Sequence, residues 1–223
     1  EHDLKYLGDC IKTQNIIDTL YMSPLMFPNK PYHSLLKDDK LQTEELNNPL
    51  NDAIKAKELF YDEINAFEKL NFDLQNIYYT LLKDNDKFKG FFRYVNTSLE
   101  ADTESLIREI FYGEICENAD LKSIIDNTPV ELAYCLALIL AENKHSIIPP
   151  RVHKNYPKID NVMWLLRNKP CTDNCEYCKK RLDVNVKLKE IFGYDEFRKY
   201  NGEPLQEMAA DAAVKNKSLL AIF

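Results

Sequence analysis

Only five glycines punctuate this chain of 223 residues, while thirteen Tyr and eleven Phe are spread along it. Glycine is the default residue where a tight turn needs a positive φ. A glycine-turned β-sandwich is therefore disfavoured, and helices packed through aromatic side chains are predicted. The periodicity agrees, because Leu74, Ile77, Tyr78, Leu81 and Leu82 recur at helical spacing, as do Leu106, Ile107, Ile110 and Phe111. The length allows one large or two small domains, and 45% hydrophobic content is that of a globular protein able to bury a core.

The organisation along the chain predicts four segments. Residues 1–66 begin with Asp3-Leu4-Lys5-Tyr6-Leu7, pass a loop rich in proline (Pro24, Pro28, Pro31), and end in a helical pattern from Asp52 to Phe67. Pro49 sits just ahead of that helix, and Asn51 is the expected N-cap. Residues 67–150 read as a run of helices. Within them Thr128-Pro129-Val130-Glu131 has the form of a capping box with proline at the first helical position, opening an apolar helix that carries Cys135. Pro149-Pro150 breaks the pattern and marks a boundary. Residues 151–183 form a short section around the clustered cysteines. Residues 184–223 start with a helix from about Val184 to Phe192 and close on the apolar run Ser218-Leu-Leu-Ala-Ile-Phe223, of buried-strand type.

Net charge is −7, unevenly placed: residues 1–150 carry 15 basic against 26 acidic side chains, residues 151–200 carry 12 against 7. A basic section after an acidic half points toward nucleic acid, and a solvated surface of patchy charge reads the same way. The longest apolar run, Val130 to Ala141, contains Glu131 and falls short of the roughly 20 residues a membrane span needs. No signal-peptide pattern opens the chain, which starts on Glu1, and the expectation is a segment of a longer protein. Three of the six cysteines are clustered, unlike a secreted disulfide framework, so a reducing cytoplasm is expected.

That cluster is Cys171-Thr-Asp-Asn-Cys175-Glu-Tyr-Cys178, followed by Lys179, Lys180 and Arg181. Short intervening turns let thiolates converge on one ion at about 2.3 Å, and nearby cations favour the thiolate form. Three ligands leave a fourth position for Cys116, His153, His145, Cys135, Cys10 or a residue elsewhere, with Cys116 and His153 the better placed. A structural zinc is expected, because no His/Glu pair accompanies the cluster. An iron–sulfur cluster or unliganded thiols are the alternatives. Radical SAM enzymes use the same spacing, but here the glycine-rich βα context of that fold is missing.

Two further motifs frame the chain. Phe192-Gly193-Tyr194-x-x-Phe197-Arg198, followed by Gln206, combines aromatic faces and a guanidinium plane that stack on a purine with an amide that pairs with adenine N6 and N7. This block resembles the N-terminal nucleotide-recognition motif of RecQ-family DNA helicases, with residues 199–205 as an insertion before Gln206. The resemblance implies that Tyr194, Arg198 and Gln206 bind the adenine of ATP, with Mg, at the start of a RecA-like domain. The order Asp3-Leu4-x-x-Leu7, Ile17-Asp18-Thr19-Leu20, Asn51-Asp52-Ala53 resembles the second half of DEDD-type 3′–5′ exonucleases. It implies that Asp3 and Asp52 are acidic metal ligands of the middle and last motifs. Asn47 and Asn48 stand where that family has its general base, and His33 occupies a scaffold position. Without the resemblance, Asp3 and Asp52 are ordinary acids at helix starts.

Together these readings describe a mainly α chain: a helical connector with a small metal knuckle, flanked by the end of an α/β exonuclease fold and the first helix and strand of a RecA-like helicase domain. The resemblances cover residues 1–66 and 187–223. They imply a central segment of a bacterial enzyme coupling ATP-dependent DNA unwinding to 3′–5′ exonuclease action, the segment itself inactive, with DNA tracking residues 151–200 and salt-sensitive binding. The reading from another class is a non-enzymatic helical zinc-knuckle module that docks protein or nucleic acid. The plainest is a helical domain whose motifs are coincidental.

Overall fold

The computed structural model describes residues 15–30, 33, 49–95, 102–141, 147–169, 171, 173 and 175–182. Every regular element among them is a helix, as the glycine-poor, aromatic-rich composition predicts. The chain divides into two compact units, Glu1–Leu106 with Ile124–Ile159, and Ile107–Ser123 with Asp160–Phe223. Asp3, Cys10, His145, Tyr194, Arg198 and Gln206 lie outside the described residues, as does the expected helix from Val184.

In the first unit, α1 (Thr19–Met26) packs against α2 (Pro49–Lys69) and α7 (Pro129–Leu140), and α3 (Phe72–Leu82) packs against α7. The Asp18 carboxylate caps α1 by accepting from the Leu20 amide at 3.2 Å. Helix α2 begins before the expected Asp52, at Pro49, whose fixed φ suits a first turn, so Asn51 lies inside the helix and not at its cap. Asn71 caps α3 through Leu74 N–H at 2.7 Å, and the periodic Leu74, Ile77, Tyr78, Leu81 and Leu82 are all buried.

Helix α7 runs through the core of this unit, with Val130, Leu132, Ala133, Tyr134, Cys135, Leu136 and Ala137 out of solvent. Pro129 takes its first position as expected, but the capping box does not form. The Thr128 hydroxyl donates back to the Ile124 carbonyl at 3.0 Å and so is not turned toward the amides of α7. Aromatic edges tie the unit together. Tyr21 stands T-shaped to Phe88 and Tyr156, with ring centroids 6.3 and 6.2 Å apart, and Tyr134 donates its hydroxyl to the Tyr21 carbonyl at 2.9 Å. Gly90, in α4 (Lys89–Tyr94), lies against the Ile16 backbone so closely that a Cβ there would overlap the Ile16 carbonyl.

In the second unit, the described core is Ile107, Phe111, Ile115, Cys116, Ala119, Leu121, Val162, Leu166, Tyr177 and Cys178. The first two belong to α5 (Thr103–Ile110) and the turn after it, Leu121 opens α6 (Leu121–Asn127), and Val162 and Leu166 lie one turn apart on α9 (Ile159–Arg167). Gly113 adopts φ +75°, the left-handed conformation glycine tolerates, and reverses the chain after α5 toward Cys116. Between these elements the first unit also contains α8 (Pro150–Asn155), and the second ends with α10 (Glu176–Leu182). No helix among the described residues is long and apolar enough to cross a membrane.

Candidate metal centre

Four cysteine sulfurs, of Cys116, Cys171, Cys175 and Cys178, all lie within 4.8 Å of one another in the second unit. Three come from the clustered motif and the fourth is Cys116. Of the other candidates for the fourth position, His153 on α8 and Cys135 on α7 belong to the first unit. Cys135 is a core residue whose thiol donates to the Ile159 carbonyl at 3.3 Å.

Local hydrogen bonds explain how two distant segments meet. The Cys116 amide donates to the Leu166 carbonyl at 2.7 Å, fixing its loop to the end of α9. Arg108 clamps the same loop, donating to the Glu117 carbonyl at 2.7 Å and to the Ala119 carbonyl at 3.1 Å. On the other side, Tyr177 in the first turn of α10 donates to the Arg167 carbonyl at 3.1 Å, and Arg167 Nε donates back to the Tyr177 oxygen at 3.2 Å. That pair seats α10, and with it Cys178, at the end of α9. The Cys175 amide donates to the Cys171 sulfur at 3.2 Å, closing the turn between them.

The dimensions suit one ion. Metal–sulfur bonds of about 2.3 Å in a tetrahedron set sulfur–sulfur edges of about 3.8 Å, and the Cys116 and Cys175 sulfurs stand 3.9 Å apart. That separation is far beyond a disulfide bond, and all four thiols are free. Cys116 and Cys178 are buried, Cys171 and Cys175 half-buried.

The electrostatics divide the four thiols. Burial pushes the Cys116 thiol far up, with the nearby Cys178 and Cys175 thiols adding to it. Burial likewise pushes Cys178 up to about 11. Burial also acts upward on Cys171, but hydrogen bonds from the Cys175 amide, the Asn118 side chain and the neighbouring thiols outweigh it and hold Cys171 down to about 6. Without an ion, then, the pocket opposes ionising two of its sulfurs. A divalent cation reverses that preference by supplying the missing counter-charge. Four cysteine ligands leave no open position, which is the pattern of a structural site, not a catalytic one.

Of the exonuclease-type acids, Asp52 stands exposed in the first turn of α2. His33 is buried against Ser23, with 2.8 Å between Ser23 Oγ and His33 Nδ1. Burial first, and the Lys30 charge second, lower its pKa to about 4. A group that sequence reasoning passed over is Glu63 on α2. It is 0% exposed, and neither carboxylate oxygen has a hydrogen-bond partner. Burial, reinforced by Asp18 and opposed by Lys30, raises its pKa to about 9. In the sequence it is one of many helix carboxylates. Only its position on the α2 face turned toward Ile64 and Phe67 in the core separates it from its neighbours.

The chain matches no family model, no curated protein and no solved structure.

Proposed function

We propose that the second unit holds a structural zinc ion on Cys116, Cys171, Cys175 and Cys178. The observation that carries this is the convergence of four sulfurs within 4.8 Å from segments 55 residues apart in sequence. Edges of this length surround a single ion, whereas an iron–sulfur cluster of several irons spreads its cysteines wider. Zinc suits four thiolates without redox chemistry, and its binding contributes directly to folding. The test is elemental analysis of the purified chain with its visible absorption spectrum. One zinc per chain and a colourless protein support the reading; iron with charge-transfer absorbance, or no metal, overturns it.

For the larger protein we propose a DNA-processing role, in which this segment joins an exonuclease-type end carrying Asp3 and Asp52 to a RecQ-type ATPase entrance carrying Tyr194, Arg198 and Gln206. This rests on the sequence motifs. The metal-clamped unit would then be a rigid connector ahead of the entrance, with residues 151–200 alongside DNA. In the full-length protein, Tyr194→Ala and Arg198→Ala should each raise the KM for ATP in a DNA-stimulated ATPase assay. Absence of any DNA-stimulated ATPase from the full-length protein would leave the non-enzymatic reading, a helical metal-knuckle module docking protein or nucleic acid. The exposed ring of Tyr112, close in sequence to Cys116, favours that second reading as a contact point.

A further inference from the structure

A cavity of about 160 Å³ with mostly apolar walls lies in the second unit, lined by Arg108, Phe111, Tyr112, Ile115, Cys116 and Glu117. Phe111 and Ile115 are buried, whereas the Tyr112 ring is 72% exposed. Glu117 is half-buried, and its Oε1 is out of solvent without a hydrogen-bond partner. The walls are fixed before anything binds. Arg108 bonds the Glu117 and Ala119 carbonyls, the Phe111 amide bonds the Ile107 carbonyl at 3.0 Å, and the Cys116 amide bonds Leu166. A site held in place loses little ordering entropy on binding. The chain around it is acidic. From Glu109 to Asp120 it carries four acids and no base, and Glu109, Glu114 and Asp120 are exposed. Two cations of this unit are already engaged: Arg167 pairs with Glu114 at 3.4 Å, and Lys179 with Glu176 at 2.9 Å.

We propose that this cavity is a docking pocket for one tyrosine or tryptophan side chain of a partner protein, carried on a basic segment. The inference rests on the docking reading above and names that partner's chemistry. The size fits, because an apolar cavity of about 150 Å³ takes one benzene ring. Arg108 and Tyr112 bring a guanidinium and an exposed ring to the walls, and both groups stack on aromatic rings. A phenol O–H or an indole N–H supplies the donor that Glu117 Oε1 lacks, which a phenyl ring does not. A neutral ring also avoids the two repulsions built into the walls, of Arg108 against a lysine and of Glu117 against a carboxylate. The surrounding acids favour Lys and Arg beside the anchor. They oppose a phosphate backbone, and so set the pocket apart from a stacking site for a nucleic-acid base.

The test is selection of a displayed library of random short peptides on the full chain as purified, with single-stranded oligothymidylate titrated in parallel. Enriched peptides should carry a Tyr or Trp flanked by Lys or Arg. Their affinity should fall about tenfold or more on Tyr112→Ala, a change at an exposed position that leaves the core intact. The charge reversal Glu114→Lys should weaken them too. Changing an anchoring Tyr of the peptide to Phe should weaken binding to wild type but not to Glu117→Ala, because the hydroxyl then has no acceptor. Should Glu117→Ala not fold, Tyr112→Ala decides alone. Peptides that bind Tyr112→Ala as well as wild type, or that lack an aromatic anchor, would overturn the pocket and leave a docking module standing. Oligothymidylate binding abolished by Tyr112→Ala would do the same in favour of nucleic acid. A chain that retains neither peptide nor oligonucleotide would overturn the docking reading together with the pocket.

Discussion

Cys116 and Cys175 are 59 positions apart in the sequence and bring their sulfurs to 3.9 Å. Nothing local makes that approach. It depends on the Cys116 amide bonding Leu166 at the end of α9, and on Tyr177 bonding Arg167 one residue later. If an ion bridges the sulfurs, removing Cys116 should be as damaging as removing a cysteine of the clustered motif. Cys116→Ser is expected to lose stoichiometric zinc and to melt at clearly lower temperature. Cys135→Ser should keep its zinc and cost about 1 kcal/mol, because the serine hydroxyl still has the Ile159 carbonyl to donate to but is a smaller and more polar group in a buried apolar site. Equal zinc content in wild type and Cys116→Ser would show that Cys116 is not a ligand.

Metal uptake should release protons. Burial holds Cys116 and Cys178 protonated at neutral pH, the latter with a pKa near 11. Both must ionise to bind, so protons are displaced and affinity falls as pH falls. Titrating zinc into the metal-free chain in weak buffer with a pH indicator should record acidification. A proton-neutral titration would contradict this arrangement of thiols.

Glu63 and His33 give the first unit opposite pH limbs. The folded pKa of Glu63 is raised from 4.5 to about 9, so its contribution is intact below pH 4.5 and is lost as pH rises toward 9. At pH 7 the shift corresponds to about 3 kcal/mol of lost stability. The folded pKa of His33 is lowered from 6.5 to about 4, so its contribution is intact above pH 6.5 and is lost as pH falls toward 4. Glu63→Gln should therefore stabilise the chain at pH 7 and flatten the alkaline limb, while leaving the acid limb in place. Melting curves from pH 4 to 9 in about half-unit steps check the sign. A variant less stable than wild type at pH 7 would mean that the buried carboxylate has a partner.

Gly90 is a test of packing alone. An added Cβ would overlap the Ile16 carbonyl, a backbone atom with little room to move. Although alanine is the better helix former, Gly90→Ala should destabilise by about 1–3 kcal/mol, the usual range for overpacking. Thermal melting measures it, and a rise in Tm would show that α4 and the Ile16 segment separate at little cost.

The sequence made the helical class legible because glycine scarcity and the Leu74–Leu82 periodicity report local backbone and one buried face. It also made three of the four sulfurs legible, since Cys171, Cys175 and Cys178 sit within one turn-sized stretch. Cys116 was only one of several candidates for the fourth, because its place is set by long-range hydrogen bonds that leave no periodic mark. The Thr128 capping box shows the opposite error. The motif is present, but the hydroxyl donates back to the Ile124 carbonyl and accepts from no amide of α7. Glu63 was invisible for a related reason, as burial of a helix carboxylate depends on which face of α2 meets the core, and a single charged letter does not reveal that.

The central claim is that four sulfurs surround one zinc, and X-ray absorption at the zinc edge of the purified chain tests it most directly. The account predicts a single shell of four sulfurs at about 2.3 Å, with the shell degraded in Cys116→Ser. A shell containing nitrogen or oxygen ligands in the wild type, or a chain that carries no zinc to measure, would contradict it.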